Sequence, residues 1–275
     1  MTSFARTIAL LAALLTGGAA GCLAAESSAT FVEIENPLAS PHPLQGYLRR
    51  PNGVGPSPAV VLLHSCHGSW ARLDERWGKR IASWGYVVLT VDSLGPRGLK
   101  VCDGRPPIDS GEDAYRALNF LVRDPFVDPA RVAVIGFANG GRVALMSVDR
   151  GFLEQASPNK FRAAIAFYPS CLGLKGEMTA PALILIGELD DWASVKECRN
   201  MVDGQDDWGI SRQKDKGALI KLTVLPGAYH AFDAPQLVKP LLLAGHHLEF
   251  NQAAADQSSE AMRDFLDATI GKAAP

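Results

Sequence analysis

This chain has no dominant charge. Its 27 Lys and Arg face 29 Asp and Glu, for a formal net charge of −2, and the charged residues are scattered, so the basic surface that nucleic acid or an anionic membrane requires is missing. A membrane span is missing too. The apolar stretch Thr7 to Leu15 falls short of the roughly 20 residues a transmembrane helix needs, and no later segment is long enough. Internal repeats and low-complexity tracts are also absent, which leaves no repeat array to consider. What remains is 275 residues, 47% hydrophobic and 20% charged. That is enough for a single soluble domain burying roughly three quarters of its unfolded surface, with small molecules as its expected partners.

Residues 1–25 read as a targeting leader: Arg6 is its positive start, Thr7 to Leu15 its apolar stretch, and small residues continue to Ala25. Export to a periplasmic or extracellular compartment is expected, with the folded domain over 26–275. The stretch Ala19-Ala20-Gly21-Cys22 also fits a lipoprotein cleavage site that would leave Cys22 lipidated, whereas cleavage near Ala25 explains the same residues without a lipid. Cysteine is sparse. Five are present, and beyond Cys22 the other four, Cys66, Cys102, Cys171 and Cys198, suit two bridges in an oxidising compartment. Cys171 and Cys198 each follow a strand end in neighbouring βα units and are the favoured pair, with Cys66 and Cys102 the complement. The alternative is that some are buried free thiols.

Apolar, β-branched runs predict eight strands, over Phe31 to Glu35, Leu44 to Arg49, Ala59 to His64, Tyr86 to Asp92, Val132 to Phe137, Ala163 to Tyr168, Ala182 to Gly187 and Lys221 to Leu225. Helical patterns fall over Leu73 to Trp84, Ser110 to Arg123, Asn139 to Asp149, Ser194 to Met201 and Gln257 to Ile270. The first two strands suit an antiparallel start. The later ones alternate with helices, so the fold class is α/β, a mostly parallel eight-stranded sheet with helices on both faces. The stretch Ala234 to Ala255 is ambiguous and suits an insertion or lid.

The informative feature is Gly136-Phe137-Ala138-Asn139-Gly140-Gly141. A buried strand precedes it and a helix follows, which is the setting of the G-x-S-x-G elbow that lifts a nucleophile above an α/β-hydrolase sheet. Here the nucleophile slot holds a methyl group. The other parts of an acyl-transfer site follow in hydrolase order. Asp190 lies just past the strand ending at Gly187 and is the favoured acid, with Asp191 the alternative; one of the two could instead cap the next helix. His230 follows the last strand as the base. The N–H groups of Cys66 and Asn139 are candidate oxyanion donors, and being main chain they do not depend on residue 138.

Together HSCHG, GFANGG, GELDDW and PGAYHAFD, with SWGYVVLTVDSLGPRG between the first two, resemble the dienelactone hydrolase family from about Ala59 to Phe265. The resemblance implies an α/β-hydrolase fold, action on carboxylic esters or lactones, no cofactor, and a triad in which Ala138 fills the Ser or Cys position, Asp190 is the acid and His230 the base. Two departures stand against dienelactone itself as substrate. Ser65 stands where the family has glutamate, and Phe232, Asp233 and Ala234 follow the histidine where it has arginine. Arg97 is a candidate anion contact, with a surface structural role as its alternative. Trp70, Tyr168, Trp192 and Phe232 are candidate walls of an apolar pocket, or ordinary core.

Three readings of the alanine stay open. It could stand where a Ser or Cys was removed, it could be natural in a protein that binds or senses a small carbonyl or carboxylate ligand, or another group could attack, either water activated by His230 or the Cys66 thiol. A zinc site built from His64, Cys66, His67 and His230 is the remaining chemical alternative, disfavoured because HxxH on a loop is not a helical zinc motif.

Overall fold

Runs such as PAVVLL and VVLTVD contain no exposed position, and strands buried on both faces belong inside a parallel sheet. A computed structural model of the chain describes residues 28–35, 43–102, 110–205 and 216–272; the leader read over 1–25, with Cys22, lies outside them. Its strands are β1 (Ala29–Ile34), β2 (Leu44–Arg49), β3 (Ser57–Leu63), β4 (Val87–Asp92), β5 (Val127–Phe137), β6 (Ala163–Phe167), β7 (Ala182–Gly187) and β8 (Ile220–Leu225). They form one eight-stranded sheet in the order β1-β2-β4-β3-β5-β6-β7-β8. β1–β2 and β2–β4 are antiparallel, and every other pairing is parallel.

Alternate residues of each central strand feed two separate cores. Val61 and Leu63 join Ala114 and Leu118 of α3 (Ser110–Leu121), Val143 of α4 (Asn139–Met146), and Cys198 and Met201 of α6 (Val195–Asp203). Val60 and Leu62 face the other way. They pack with Leu73, Trp77 and Ile81, and with Met262, Phe265 and Leu266 of α7 (Gln252–Thr269). Leu73 ends the short helix α1 (Trp70–Leu73), which continues through a π-helical turn (Asp74–Gly78) into α2 (Lys79–Ser83). The short α5 (Phe152–Ala156) completes the α-helices among the described residues, and Gly95–Arg97 and Pro235–Leu237 are single 3-10 turns.

The eight predicted strands are all present, and the differences lie at the ends. β5 starts at Val127 rather than Val132 because Ser57 pairs with Val127 before the register shifts toward Ala59 and Val132. α7 starts at Gln252 rather than Gln257 because the Asn251 side chain accepts the Ala254 N–H at 3.1 Å, a side-chain cap. The ambiguous stretch holds a hairpin of β9 (Leu241–Leu243) and β10 (His246–Leu248). Its two-residue turn, Ala244-Gly245, has φ of 53° and 88°, the mirror-image turn geometry that suits strand twist.

One buried ion pair ties the antiparallel edge to the helical segment. Arg49 of β2 donates through Nε and Nη2 to Asp74 Oδ2 at 2.9 and 2.6 Å, and Thr90 of β4 donates its hydroxyl to Oδ1 at 3.0 Å. A Cβ at Gly78 would sit 2.4 Å from that same Oδ1, so the glycine gives the carboxylate its space. Disulfides join Cys66 to Cys102 and Cys171 to Cys198. Removing one partner of a buried pair strands the other charge, so Asp74→Ala is expected to lower the unfolding free energy by about 3–5 kcal/mol. Urea unfolding of the two proteins measures it.

Candidate active site

The elbow is set by backbone meeting backbone. A Cβ on Gly136 would lie 1.9 Å from the Gly140 carbonyl oxygen, and one on Gly140 would lie 2.4 Å from that of Leu63 at the end of β3. Between these glycines Ala138 is held at φ 51°, ψ −112°, a conformation costing a non-glycine residue on the order of 1–3 kcal/mol. Its N–H donates to the Phe167 carbonyl at 3.0 Å and its carbonyl accepts from Arg142 N–H at 3.0 Å. The strained geometry that serves a nucleophile is thus kept beneath a methyl group.

Asp190 and His230 meet at the ends of β7 and β8. His230 Nδ1 lies 2.9 Å from Asp190 Oδ2, and both side chains are buried. The other oxygen, Oδ1, accepts the N–H groups of Trp192 and Ala193 at 3.0 and 2.7 Å. With one oxygen held by the backbone and the other on the ring, the carboxylate fixes the imidazole's orientation. Asp191 points elsewhere, accepting the His247 N–H at 3.0 Å.

Ala138, Asn139, Cys66 and His230 line one cavity of about 240 Å³, together with Tyr168 and Trp192. The ring centroids of Tyr168 and Trp192 stand 4.7 and 5.2 Å from that of His230. Three other predicted pocket residues are elsewhere. Arg97 is locked on buried Asp113 at 2.8 and 3.0 Å, because a carboxylate on α3 lies within reach. Trp70 packs on Tyr47 with centroids 4.4 Å apart and the rings tilted by 31°. Phe232 is wholly buried against Phe167 and Tyr168, since the chain turns inward directly after His230.

The zinc alternative and the Cys66 nucleophile both fail on bonding already in place. Cys66 sulfur is in the disulfide. His64 Nε2 accepts the Ser93 N–H at 3.1 Å, so its Nδ1 carries the proton given to the Ser65 carbonyl at 2.7 Å. The histidine is a neutral strut that joins the ends of β3 and β4. Burial lowers its pKa, outweighing the Ser65 carbonyl and the Asp92 and Asp113 carboxylates, which favour the charged ring.

Two features of the site were not read from the sequence. Arg142, one helical turn beyond Ala138, lines the cavity while donating to the Ser170 and Leu172 carbonyls at 3.2 and 2.6 Å. Asp233 is buried under the site, where Tyr168 Oη and Trp77 Nε1 each donate to it at 2.7 Å and Arg76 pairs with it at 3.0 Å. Its three partners come from two distant segments, Arg76 and Trp77 from the π-helical turn and Tyr168 from the end of β6, so only the folded chain brings them together. The spacing of three residues from His230 was the single available hint.

A mostly parallel sheet with an elbow after β5, a carboxylate after β7 and a histidine after β8 defines the α/β-hydrolase class. Within it, the chain belongs to the dienelactone hydrolase family, whose model matches residues 44–270. It is similar to a protein of Bradyrhizobium sp named a probable 2-oxo-3-(5-oxofuran-2-ylidene)propanoate lactonase, with 24% identity over 68% of this chain and 77% of that one. Lipase 1 of a Moraxella species is 29% identical over 56% of this chain, which spans only 45% of that lipase. Among solved structures, esterase 2 of Thermogutta terrifontis, phosphoramylated by tabun, superposes with a TM-score of 0.65 at 18% identity over 90% of this chain and 96% of that one. A dienelactone hydrolase-like promiscuous phosphotriesterase from metagenomic libraries gives 0.65 at 20% identity over 88% and 98%. At these identities the structures establish the shared fold.

His64 makes stability depend on pH. Its folded pKa lies below the ordinary 6.5, so its contribution is complete above about 6.5 and is lost as pH falls from there through the folded pKa, while the unfolded chain takes up the proton. A His64→Gln variant can keep both hydrogen bonds and has no proton to gain. The stability gap between parent and variant should therefore narrow from pH 7.5 to 5, by at most about 1.4 kcal/mol per pH unit. Denaturant unfolding at each pH measures it, and parallel curves would remove His64 as the cause.

Proposed function

We propose that this scaffold is built to hydrolyse carboxylic esters or lactones by acyl transfer, and that the chain as it stands is catalytically impaired because Ala138 supplies no attacking atom. The observation that carries the reading is the 2.9 Å contact of His230 with Asp190 beside a strained elbow in the same cavity. The lactonase and lipase among the similar proteins support the substrate class.

With a hydroxyl or thiol at position 138, His230 Nε2 would take its proton as the oxygen or sulfur attacks the ester carbonyl, and Asp190 would steady the imidazolium. The N–H groups of Cys66 and Asn139 are the proposed donors to the oxyanion. The C–O bond then breaks, His230 returns the proton to the leaving alcohol, and water repeats the sequence to free the acid. In the alanine chain the donors and the base remain, so carbonyl binding is retained while the covalent step is lost. We also read residues 1–25 as an export leader ahead of one domain over 26–275, a reading supported by the two disulfides.

Loss of a triad nucleophile costs on the order of 10⁶ in rate, so even partial repair should be visible. The Ala138→Ser and Ala138→Cys variants are expected to hydrolyse p-nitrophenyl acetate at least about 100-fold faster than the parent, and adding His230→Ala or Asp190→Ala should abolish the gain. High activity in the alanine chain, untouched by His230→Ala, would overturn the assignment. If neither variant turns over yet esters raise the melting temperature, the protein is a binder.

A further inference from the structure

A second, larger cleft opens beside the dyad cavity, and nothing in the acyl-transfer reading uses it. Its volume is about 800 Å³, against about 240 Å³ for the cavity holding His230. The two are contiguous, since Ser65, His67, Tyr168, Ala231, Leu243 and Leu248 line both. Neither Ala138 nor His230 lines the larger one. A substrate whose carbonyl lies at His230 therefore has a second space into which one of its arms extends.

The chemistry of that space is set by the β9–β10 hairpin. Leu241, Leu243 and Leu248 form one wall, joined by Leu237 before the hairpin and by Leu73 and Phe137 beneath. Within that wall Leu241 stays 46% exposed, apolar surface that a bound alkyl group would cover. The remaining lining carries Arg76, paired with Asp233 though its buried Nε has no hydrogen-bond partner, Glu75, paired with Arg49, and the exposed Arg72. An alkyl group is thus favoured along the leucine wall, and no buried charge there awaits a counter-ion.

The hairpin is also fixed to the dyad. Leu248 forms a main-chain bridge with His230, and Glu249 N–H donates to the His230 carbonyl at 3.3 Å. Asp191, neighbour of the acid, accepts the His247 N–H, and Trp192 stacks on His246 at 4.8 Å. The leucine wall and the imidazole therefore keep one distance from each other, as a subsite and its reacting centre must.

We propose that this cleft is the subsite for an apolar alkyl arm, so that the preferred substrates are esters carrying a medium-length unbranched chain rather than compact polar lactones. The proposal rests on the ester-hydrolase reading for its reaction, and on the cleft alone for its binding. Each methylene buried is worth about a factor of four in affinity at the upper limit.

The test has a binding arm and a turnover arm. For binding, calorimetry on the unaltered chain compares methyl octanoate with methyl acetate. The octanoate should bind at least about tenfold tighter, and Leu241→Asp, a half-exposed position, should reduce that ratio at least about fivefold. For turnover, Ala138→Ser is given p-nitrophenyl acetate, butyrate and octanoate and, separately, acetate esters of ethanol, butanol and octanol. Whichever series gains in kcat/KM with length identifies the arm as acyl or alcohol. Equal binding of the two methyl esters, or a ratio indifferent to Leu241→Asp, overturns the proposal. If chain-dependent binding holds while Ala138→Ser shows no turnover, the subsite stands and the acyl-transfer reading falls. Turnover without chain preference gives the reverse.

Discussion

The site depends on a close approach between main chains: the first turn of α4 lies so near the end of β3 that a single Cβ on Gly140 would meet the Leu63 carbonyl at 2.4 Å. Much of the site geometry follows from that contact. With α4 pressed onto β3, the chain must reverse direction at Ala138, the one residue between strand and helix, which holds it at positive φ and turns its Cβ toward the cavity. The same contact brings the Ser65–Cys66 loop beside Asn139, so two segments 73 positions apart in sequence line one wall. Side-chain chemistry is added to a backbone arrangement that exists without it. This explains how a complete elbow persists around an alanine.

Buried charge is arranged in a consistent way around this core. Asp74, Asp113, Asp190 and Asp233 are all nearly inaccessible, and each is satisfied from more than one element: Asp74 by β2 and β4, Asp113 by arginines on two segments, Asp190 by its own loop and the β8 loop, Asp233 by the π-helical turn and the end of β6. Such carboxylates are costly to leave alone and specific when paired. They act as fixed points at which separate elements are brought into register. Asp190 differs from the others in using its second oxygen on a titratable ring that faces a cavity.

The central strands were legible because a doubly buried parallel strand has to be apolar throughout, as AVVLL and ALILIG are. Legibility of the elbow, Asp190 and His230 had a similar origin, since each follows directly on such a strand and its place above the sheet is given by chain order. Pocket walls were harder to read. Tyr168 and Trp192 line the cavity while Trp70 and Phe232 do not, and all four are aromatic residues close to strand ends. Which of them faces the cavity depends on whether a neighbour such as Tyr47 or Phe167 is there to receive the ring, and sequence position carries no trace of that. Arg97 illustrates the same limit for charge, because the carboxylate that claims it, Asp113, sits on a helix whose distance could not be known beforehand. The hairpin escaped because strands of three residues have too few positions to show alternation.

The Cys66–Cys102 bridge separates two properties of one residue. What the proposed reaction would take from position 66 is a backbone N–H, which nineteen of the twenty amino acids could provide. What the fold takes is the sulfur, spent on holding this loop to a segment 36 positions later. The side chain at residue 66 therefore serves anchoring, and the proposed chemistry is indifferent to it. Replacing Cys66 alone would leave Cys102 an unpaired thiol, whereas replacing both and supplying another anchor would keep the donor.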